Sequence, residues 1–320
     1  MVFMLAVTVT SLCMTIQVQG SVLLGLAQGD LFTAVAQTLK DIEIICINDG
    51  STDKTPELLE RYRADPRIEI LTQSNRGLSG ARNRALEHIR GKYILFVDSD
   101  DTLRKGAVQA LLSKALETNA DIVQGGFVNI TGHGLVFGRT GYREGSVDET
   151  GQTPYGMAWG KVIRSSLFAH LKFPEGYWFE DTIFAFCIAP FQPTHYLIPA
   201  YVYNYTRNPL GITLRSRKKA KAVDTVWIMQ YLMAELAQKK EVHSAQVQQL
   251  LLQHIALAWY RLSHLDETVQ QAAFLVMQQM YAAYYAPQDI CVQDSRLLAL
   301  HQALAAKNYG QYLAAAENLA

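Results

Sequence analysis

The feature that most constrains the fold is an apolar run that ends in an acidic loop. Residues 93–97 read Tyr-Ile-Leu-Phe-Val, and the carboxylates of Asp98, Asp100 and Asp101 follow at once. A short, uninterrupted apolar run of this kind predicts a strand that is covered on both faces. Open α/β sheets bind their ligands at the carboxyl ends of strands, so the acidic loop marks the predicted site.

Carboxylates clustered in one loop repel one another unless a cation lies among them. A hard divalent cation such as Mn²⁺ or Mg²⁺ prefers oxygen ligands, and substrate phosphates and water complete its shell when the protein supplies only one or two carboxylates. A nucleotide diphosphate is therefore a candidate partner. The alternative is an acidic turn that caps the next helix, because Asp is common in turns and at N-caps.

Around this loop, strands and helices alternate with short connections. The pattern predicts strands at 42–47, 68–71 and 93–97, with helices that begin near Thr55 and Ser79 between them. This alternation is typical of a mostly parallel sheet with helices on both faces. Further predictions are a helix at 105–117, a strand at 122–130, a loop or irregular hairpin at 131–153, a strand at 195–205, and helices from residue 220 whose apolar stripe includes Trp227 and Met229.

Composition excludes one class of partner and favours one compartment. Lys plus Arg equals Asp plus Glu at 29 each, so there is no excess positive charge to bind nucleic acid. The four cysteines lie far apart in no metal-ligand spacing, which favours a reducing cytoplasm. Residues 1–29 are apolar, but they lack an early Lys or Arg and are interrupted by polar residues, so a signal peptide or membrane anchor is not predicted.

Three predicted strand ends carry polar clusters that we expect to converge on one ligand, because neighbouring parallel strands end at the same edge. Asp49 can accept a hydrogen bond from a base or ribose hydroxyl, Arg82 can pair with phosphate, and the acidic loop can hold a cation. The predicted nucleotide-binding residues are Asp49, Ser51, Asn75, Gly77, Arg82, Asn83 and Asp98.

The three clusters also carry a family resemblance. The segments Asp49-Gly-Ser-Thr-Asp53, Asn75-Arg-Gly-Leu-Ser-Gly-Ala-Arg-Asn83 and Asp98-Ser-Asp-Asp101, in this order and spacing, resemble the nucleotide-sugar-dependent family 2 glycosyltransferases that build bacterial envelope polysaccharides. The resemblance covers about residues 37–215 and implies a GT-A fold. It also implies that Asp98 lies near the donor ribose, while Asp100, with Asp98 beside it, binds a metal ion that bridges the donor phosphates.

Two later segments extend the resemblance. Residues 158–161 and 178–181 resemble the acceptor side of the family's site, which implies Asp181 as the catalytic base and Glu180 as its neighbour. The alternative is that these two acids only begin a helix at 182–189, where its dipole favours them. Arg207 begins a segment that resembles the family's loop over the donor phosphates, although Gly211 stands where Ser is more usual.

The front of the chain departs from the family. Members begin with an apolar strand that runs into Pro-Val-Tyr-Asn, and residues 1–36 do not match it. Codons allowed for residues 11–16 permit a similar peptide in another frame, so our hypothesis is a frameshift that replaces the first strand, with a substitute strand near residues 21–26. We thus predict a leader at 1–36, a GT-A domain at 37–215 and a helical region at 216–320.

These features predict an inverting, metal-dependent transferase that moves a hexosyl or N-acetylhexosaminyl group from a nucleotide-diphosphate sugar, chiefly a UDP-sugar, to a glycan or lipid-linked glycan of the envelope. It would work in the cytoplasm at the inner face of the plasma membrane, where the helical tail shapes the acceptor side or contacts the membrane. The alternatives are a non-catalytic or impaired sugar-nucleotide-binding protein and a nucleotidyltransferase. The second lacks the expected glycine-rich loop near the first strand.

Overall fold

A computed structural model describes residues 2–7, 12–17, 33–39, 41–152, 154, 156–191, 193–207, 219–238, 242–286 and 294–319. Contacts divide the chain into two compact units. The sheet unit comprises Met1–Gly176 and Gln192–Asn208, and the helical unit comprises Tyr177–Phe191 and Pro209–Ala320. The segment with Glu180 and Asp181, which the sequence assigned to the GT-A domain, therefore groups with the helices.

The sheet unit is built on one mixed sheet. Its described strands are β1 Val2–Val7, β2 Leu12–Gln17, β3 Glu43–Asp49, β4 Ile68–Gln73, β5 Tyr93–Asp98, β6 Thr102–Leu103, β7 Ile122–Thr131, β8 Val136–Thr140, β9 Gly145–Ser146, β10 Lys161–Arg164 and β11 His195–Arg207. β3 is parallel to β4, and β7 is parallel to β11. β10 is antiparallel to both β5 and β7, so these two run in one direction.

This topology places the carboxyl ends of β3, β4, β5, β7 and β11 at one edge of the sheet, because β2 is parallel to both β3 and β5. We call this edge the donor edge. β5 is the buried strand that the sequence predicted, since every residue from Tyr93 to Val97 is at most 1% exposed. The α/β prediction is confirmed, and the predicted irregular hairpin is the antiparallel pair β7 and β8.

The helices of the sheet unit are α1 Thr55–Glu60, α2 Gly77–Leu86, α3 Ala107–Thr118 and α4 Val147–Thr150. Pro56 lies in the first turn of α1, where its missing N–H costs nothing. Leu111 and Leu112 of α3 pack in one apolar cluster with Tyr93, Leu95 and Val97 of β5. Burial of this cluster fixes the strand that carries the acidic loop.

The helical unit contains α5 Asp224–Gln238, α6 Ala245–Leu262, α7 Glu267–Tyr284, α8 Ser295–Ala305 and α9 Tyr309–Glu317. The predicted apolar stripe is present, with Met229 at 1% exposure, but Trp227 is 42% exposed and does not belong to the core. Within the described parts of the chain, no helix combines the length and the apolar character needed to cross a membrane.

Two segments before residue 18 pair with β3. β1 pairs with it antiparallel, and β2 pairs with it in parallel. The frameshift hypothesis stays a prediction, and its substitute strand at 21–26 lies outside the described residues.

Candidate active site

Asp49 ends β3 and holds the turn that starts α2. Its carboxylate is fully buried and accepts hydrogen bonds from Gln73 Nε2 at 2.7 Å, Arg76 N at 2.8 Å and Gly77 N at 2.8 Å. Burial raises the pKa of Asp49, and these three donors partly offset the rise. The carboxylate thus holds the start of α2, and its predicted bond to a base or ribose hydroxyl stays a prediction.

The loop after Asp49 approaches the loop after β4 closely. A Cβ at Gly50, whose φ is +75°, would lie 2.9 Å from Asn75 N, so only glycine fits without a backbone shift. Asn75 Nδ2 also donates to Asp49 O at 3.1 Å. The Ser51 amide donates to Asn48 Oδ1, and the Ser51 hydroxyl is buried with no hydrogen-bond partner among the described residues. The predicted role of Ser51 in nucleotide binding stays a prediction.

Arg82 lies in a different environment from the one that the sequence predicted. Its side chain is 1% exposed, and Nη2 donates to Asp98 Oδ1 at 3.1 Å. The guanidinium carbon lies 5.2 Å from the ring centroid of Phe173 and 5.7 Å from that of Phe96. A buried guanidinium paired in this way orients Asp98, and the phosphate role of Arg82 stays a prediction.

The acidic loop contains one deeply buried carboxylate and two that are partly exposed. Asp101 is 1% exposed, and its Oδ1 accepts from Thr206 N at 2.6 Å. Burial raises the pKa of Asp101 well above its usual value, and repulsion from Asp100 and Asp98 adds to the rise. Tyr203, buried beside them, accepts a hydrogen bond from Asp98 N through its hydroxyl at 3.0 Å. The sequence identified neither Tyr203 nor Thr206, because both lie in an ordinary strand pattern.

Replacing Asp101 with asparagine is expected to flatten the pH dependence of stability. The pKa of Asp101 is higher in the folded chain than its usual 3.8, so the folded state holds the proton more tightly. The free energy of unfolding should then fall as pH rises from about 4, by at most about 1.4 kcal/mol per pH unit from this group. Urea unfolding across this pH range, with EDTA present, measures it. If both chains lose stability in parallel, the Asp101 carboxyl is not buried as described.

The acidic loop fits a cation that shares its coordination with a ligand. Within the described ranges, no group of three or more His, Cys, Asp and Glu side chains is arranged to hold a metal ion. Asp98 and Asp100 each offer carboxylate oxygen at the donor edge, and their mutual repulsion with Asp101 favours a positive charge there. Such a cation would need phosphate oxygens and water to complete its shell.

Asn83 connects α2 to the chain segment around Phe173 by hydrogen bonds. Its amide donates to Phe173 O at 2.9 Å and accepts from Phe173 N at 2.7 Å. Arg76 and Glu175 form a bidentate ion pair beside it, with distances of 2.6 and 3.0 Å. The Asn83 side chain thus holds the backbone of this segment, and its predicted role in nucleotide binding stays a prediction.

Replacing Asn83 with alanine is expected to destabilise the chain by about 2–6 kcal/mol, because it leaves two buried backbone groups of Phe173 unpaired at about 1–3 kcal/mol each. Glu175→Gln is the matched control. It removes the charge of the partly exposed pair with Arg76 and keeps an amide oxygen for Asn83 Nδ2, which donates to Glu175 at 3.1 Å, so we expect a loss below about 1 kcal/mol. Urea unfolding compares the two, and equal losses would show that the amide bonds to Phe173 do not dominate.

Arg207 ends β11 next to Thr206, the residue that bonds Asp101. It is exposed, and its guanidinium carbon lies 5.9 Å from the ring centroid of Phe137 in β8. The segment that the sequence predicted to close over donor phosphates, residues 208–213, lies outside the described residues. The phosphate role of Arg207 therefore stays a prediction.

Glu180 and Asp181 lie in the helical unit, after an unusual backbone turn. Phe179 has a φ of +66°, which is uncommon for an aromatic residue, and the Arg261 guanidinium carbon stacks 3.8 Å from its ring centroid. Burial lowers the pKa of Arg261 to about 10, while the nearby Glu180 carboxylate opposes that shift. Glu180 is 6% exposed, and Asp181 is half-buried.

Comparison with known proteins agrees with this geometry. Residues 31–171 match the family model "Glycosyl transferase family 2". These residues form a family 2 glycosyltransferase domain. Glycosyltransferase GlyA of Streptococcus pneumoniae is 28% identical over 78% of this chain and 38% of its own length. The putative glycosyltransferase EpsH of Bacillus subtilis is 31% identical over 57% of each chain, so this chain spans only part of both relatives.

A solved structure shares the fold over nearly the whole chain. Residues 1–349 of Staphylococcus aureus TarS in complex with UDP-GlcNAc superpose with a TM-score of 0.71 over 90% of this chain and 86% of that one. The identity is 19%, so the likeness concerns the fold. It confirms the predicted fold, which is a GT-A domain followed by a helical region.

Proposed function

We propose that this chain transfers a sugar from a UDP-sugar to a hydroxyl of an envelope glycan, with inversion at the anomeric carbon. The observation that carries the proposal is the contact between three motifs at the donor edge: Asp49 bonds the turn at Arg76 and Gly77, and Arg82 bonds Asp98. The UDP-GlcNAc bound to TarS supports a UDP-sugar donor.

In the proposed reaction, Asp181 accepts the proton of the acceptor hydroxyl while the oxygen of that hydroxyl bonds to the anomeric carbon of the donor sugar. The bond between that carbon and the diphosphate oxygen breaks, and UDP leaves from the opposite face. Glu180 lies beside the base in the acceptor site, and Asp98 lies near the donor ribose. A divalent cation at Asp100 and Asp98 would stabilise the charge of the leaving diphosphate.

The local backbone after Asp181 is compatible with both interpretations of the two acids. The helix predicted at 182–189 is present as a helical run over residues 182–191, and its middle is a π-helix, Phe184–Ile188, which has no side-chain cap. π-helical turns are frequent at functional sites, which supports a role for Asp181 in the reaction. Helix capping remains the alternative, because the dipole of this run favours acids before it.

The test is a screen of UDP-sugars for hydrolysis and transfer in the presence of Mn²⁺. We expect one hexose or N-acetylhexosamine donor to be hydrolysed slowly without acceptor, with release of UDP. Calorimetry with UDP should show binding that Mn²⁺ strengthens. A chain that binds no UDP and hydrolyses no sugar nucleotide would contradict the proposal.

A second candidate function is sugar-nucleotide binding without efficient transfer. The observation that favours it is the departure of residues 1–36 from the family's first strand, which ends in Pro-Val-Tyr-Asn. A version with an apolar first strand ending in Pro-Val-Tyr-Asn should then bind UDP more tightly and transfer faster. Equal UDP affinity and equal transfer rates in both versions would show that residues 1–36 are native. A gene that encodes no such peptide in another reading frame would contradict the frameshift hypothesis as well.

The proposed setting is the cytoplasm at the inner face of the plasma membrane. Cys46 and Cys187 are buried and form no disulfide, as expected in a reducing compartment. The acceptor is a glycan or a lipid-linked glycan, and the helical unit either shapes its binding site or contacts the membrane.

A further inference from the structure

The hairpin formed by β7 and β8 ends in an apolar surface that the proposed reaction does not use. Leu135, Val136 and Phe137, called the hairpin tip below, are 69%, 51% and 53% exposed. Single exposed apolar residues are normal in soluble proteins, but three consecutive large ones mark an interaction surface. The glycines at 132 and 134 add no side chain that would cover them.

The two strands that form the hairpin and their turn carry charge of one sign. Residues 122–140 contain no Asp or Glu, whereas Arg139 is exposed, as is His133. β11, which pairs with β7, also lacks acidic residues, and its last residue, Arg207, lies over the Phe137 ring. An apolar tip with arginines behind it is complementary to a partner that has an apolar interior and a negatively charged surface.

The shape of the tip distinguishes a membrane from a protein partner. Leu135 precedes β8, and Val136 and Phe137 begin it, so the three exposed side chains lie at the turn of the hairpin and not along a regular strand face. A β-bulge between Asn129 and Ile130 shifts the register beside Phe137. A bilayer interface surrounds an inserted tip on every side, while arginines behind it reach the lipid phosphates.

The tip also lies where membrane contact would matter. It follows the carboxyl end of β7, which points in the same direction as the ends of β3 and β5 that carry Asp49 and Asp98. We propose that the hairpin tip inserts into the interface of an anionic lipid bilayer and docks the donor edge of the sheet unit toward it. The proposal concerns a surface and does not depend on the transfer reaction.

Vesicle sedimentation tests the proposal. We expect the chain to bind vesicles of phosphatidylcholine with phosphatidylglycerol, to bind phosphatidylcholine alone more weakly, and to be released by high salt. The double substitution Leu135→Ser and Phe137→Ser should lower the partition coefficient about tenfold or more, because it removes most of the inserted apolar area. Leu116→Ser is the matched control, since Leu116 is 51% exposed on α3, and it should leave binding unchanged.

Two outcomes overturn the proposal: no binding of the unaltered chain to anionic vesicles, or equal losses in the double variant and in Leu116→Ser. Light scattering tests a third outcome that would overturn it. If the unaltered chain is a dimer that dissociates in the double variant, the tip is an interface between two copies of the chain. UDP binding without vesicles is measured on the same proteins. Vesicle binding without UDP binding would contradict the proposed transferase and leave the membrane contact standing.

Discussion

Replacing Asp181 with asparagine is expected to lower the rate of sugar transfer by about 10²–10⁴-fold while UDP affinity stays nearly unchanged. Asparagine keeps the size of the side chain but cannot accept a proton, and a positioned general base contributes about this factor. Steady-state transfer assays with a saturating donor give the rate. Calorimetry with UDP and Mn²⁺ gives the affinity.

The matched control for this experiment is Asp266→Asn in the same helical unit. Asp266 is exposed and makes no side-chain cap bond to α7, so the same chemical change should leave both rate and affinity intact. If Asp181→Asn loses UDP binding together with transfer, the side chain maintains the structure of the site. If the rate does not change, another group is the base.

Replacing Asp100 with alanine should remove the gain in UDP affinity that Mn²⁺ provides. A coordinating oxygen is lost while the charge of the diphosphate still needs compensation. Loss of an outer-shell partner alone costs about 10–100-fold in metal affinity, so loss of a direct ligand should cost at least as much. Titration of UDP with Mn²⁺ and with EDTA measures the difference for each chain.

Asp148→Ala controls for the loss of one surface charge, because Asp148 is an exposed acid on the short helix α4. It should keep the full effect of Mn²⁺. An Asp100→Ala chain that keeps the same metal-dependent gain would show that the acidic loop is a turn and helix cap, which is the alternative that the sequence left open.

Much of the donor edge could be predicted from the sequence because it rests on local patterns. The apolar run at 93–97 and the alternation of strands and helices are short-range signals, and they predicted both β5 and the edge where the polar motifs meet. The convergence of the motifs followed from one general property of parallel sheets. That part needed no knowledge of individual side-chain contacts.

The individual side-chain roles could not be predicted, because they depend on partners far away in the sequence. The sequence did not predict that Phe173 and Asp98 surround the Arg82 guanidinium. It also did not predict that Asn83 bonds a segment 90 residues further on. Trp227 lies on the apolar stripe of its helix. The stripe alone does not show which of its residues pack against another helix or strand.

The bonds between the acidic loop and β11 have a consequence for folding order. Thr206 and Tyr203 bond Asp101 and Asp98 across 105 residues of chain, so the acidic loop acquires its native surroundings only after β11 has paired with β7. Contacts at such separation form slowly, since a long loop must close before they repay its entropy. UDP binding to the donor edge would therefore be possible only after folding is complete. UDP would then stabilise the native state and no earlier intermediate.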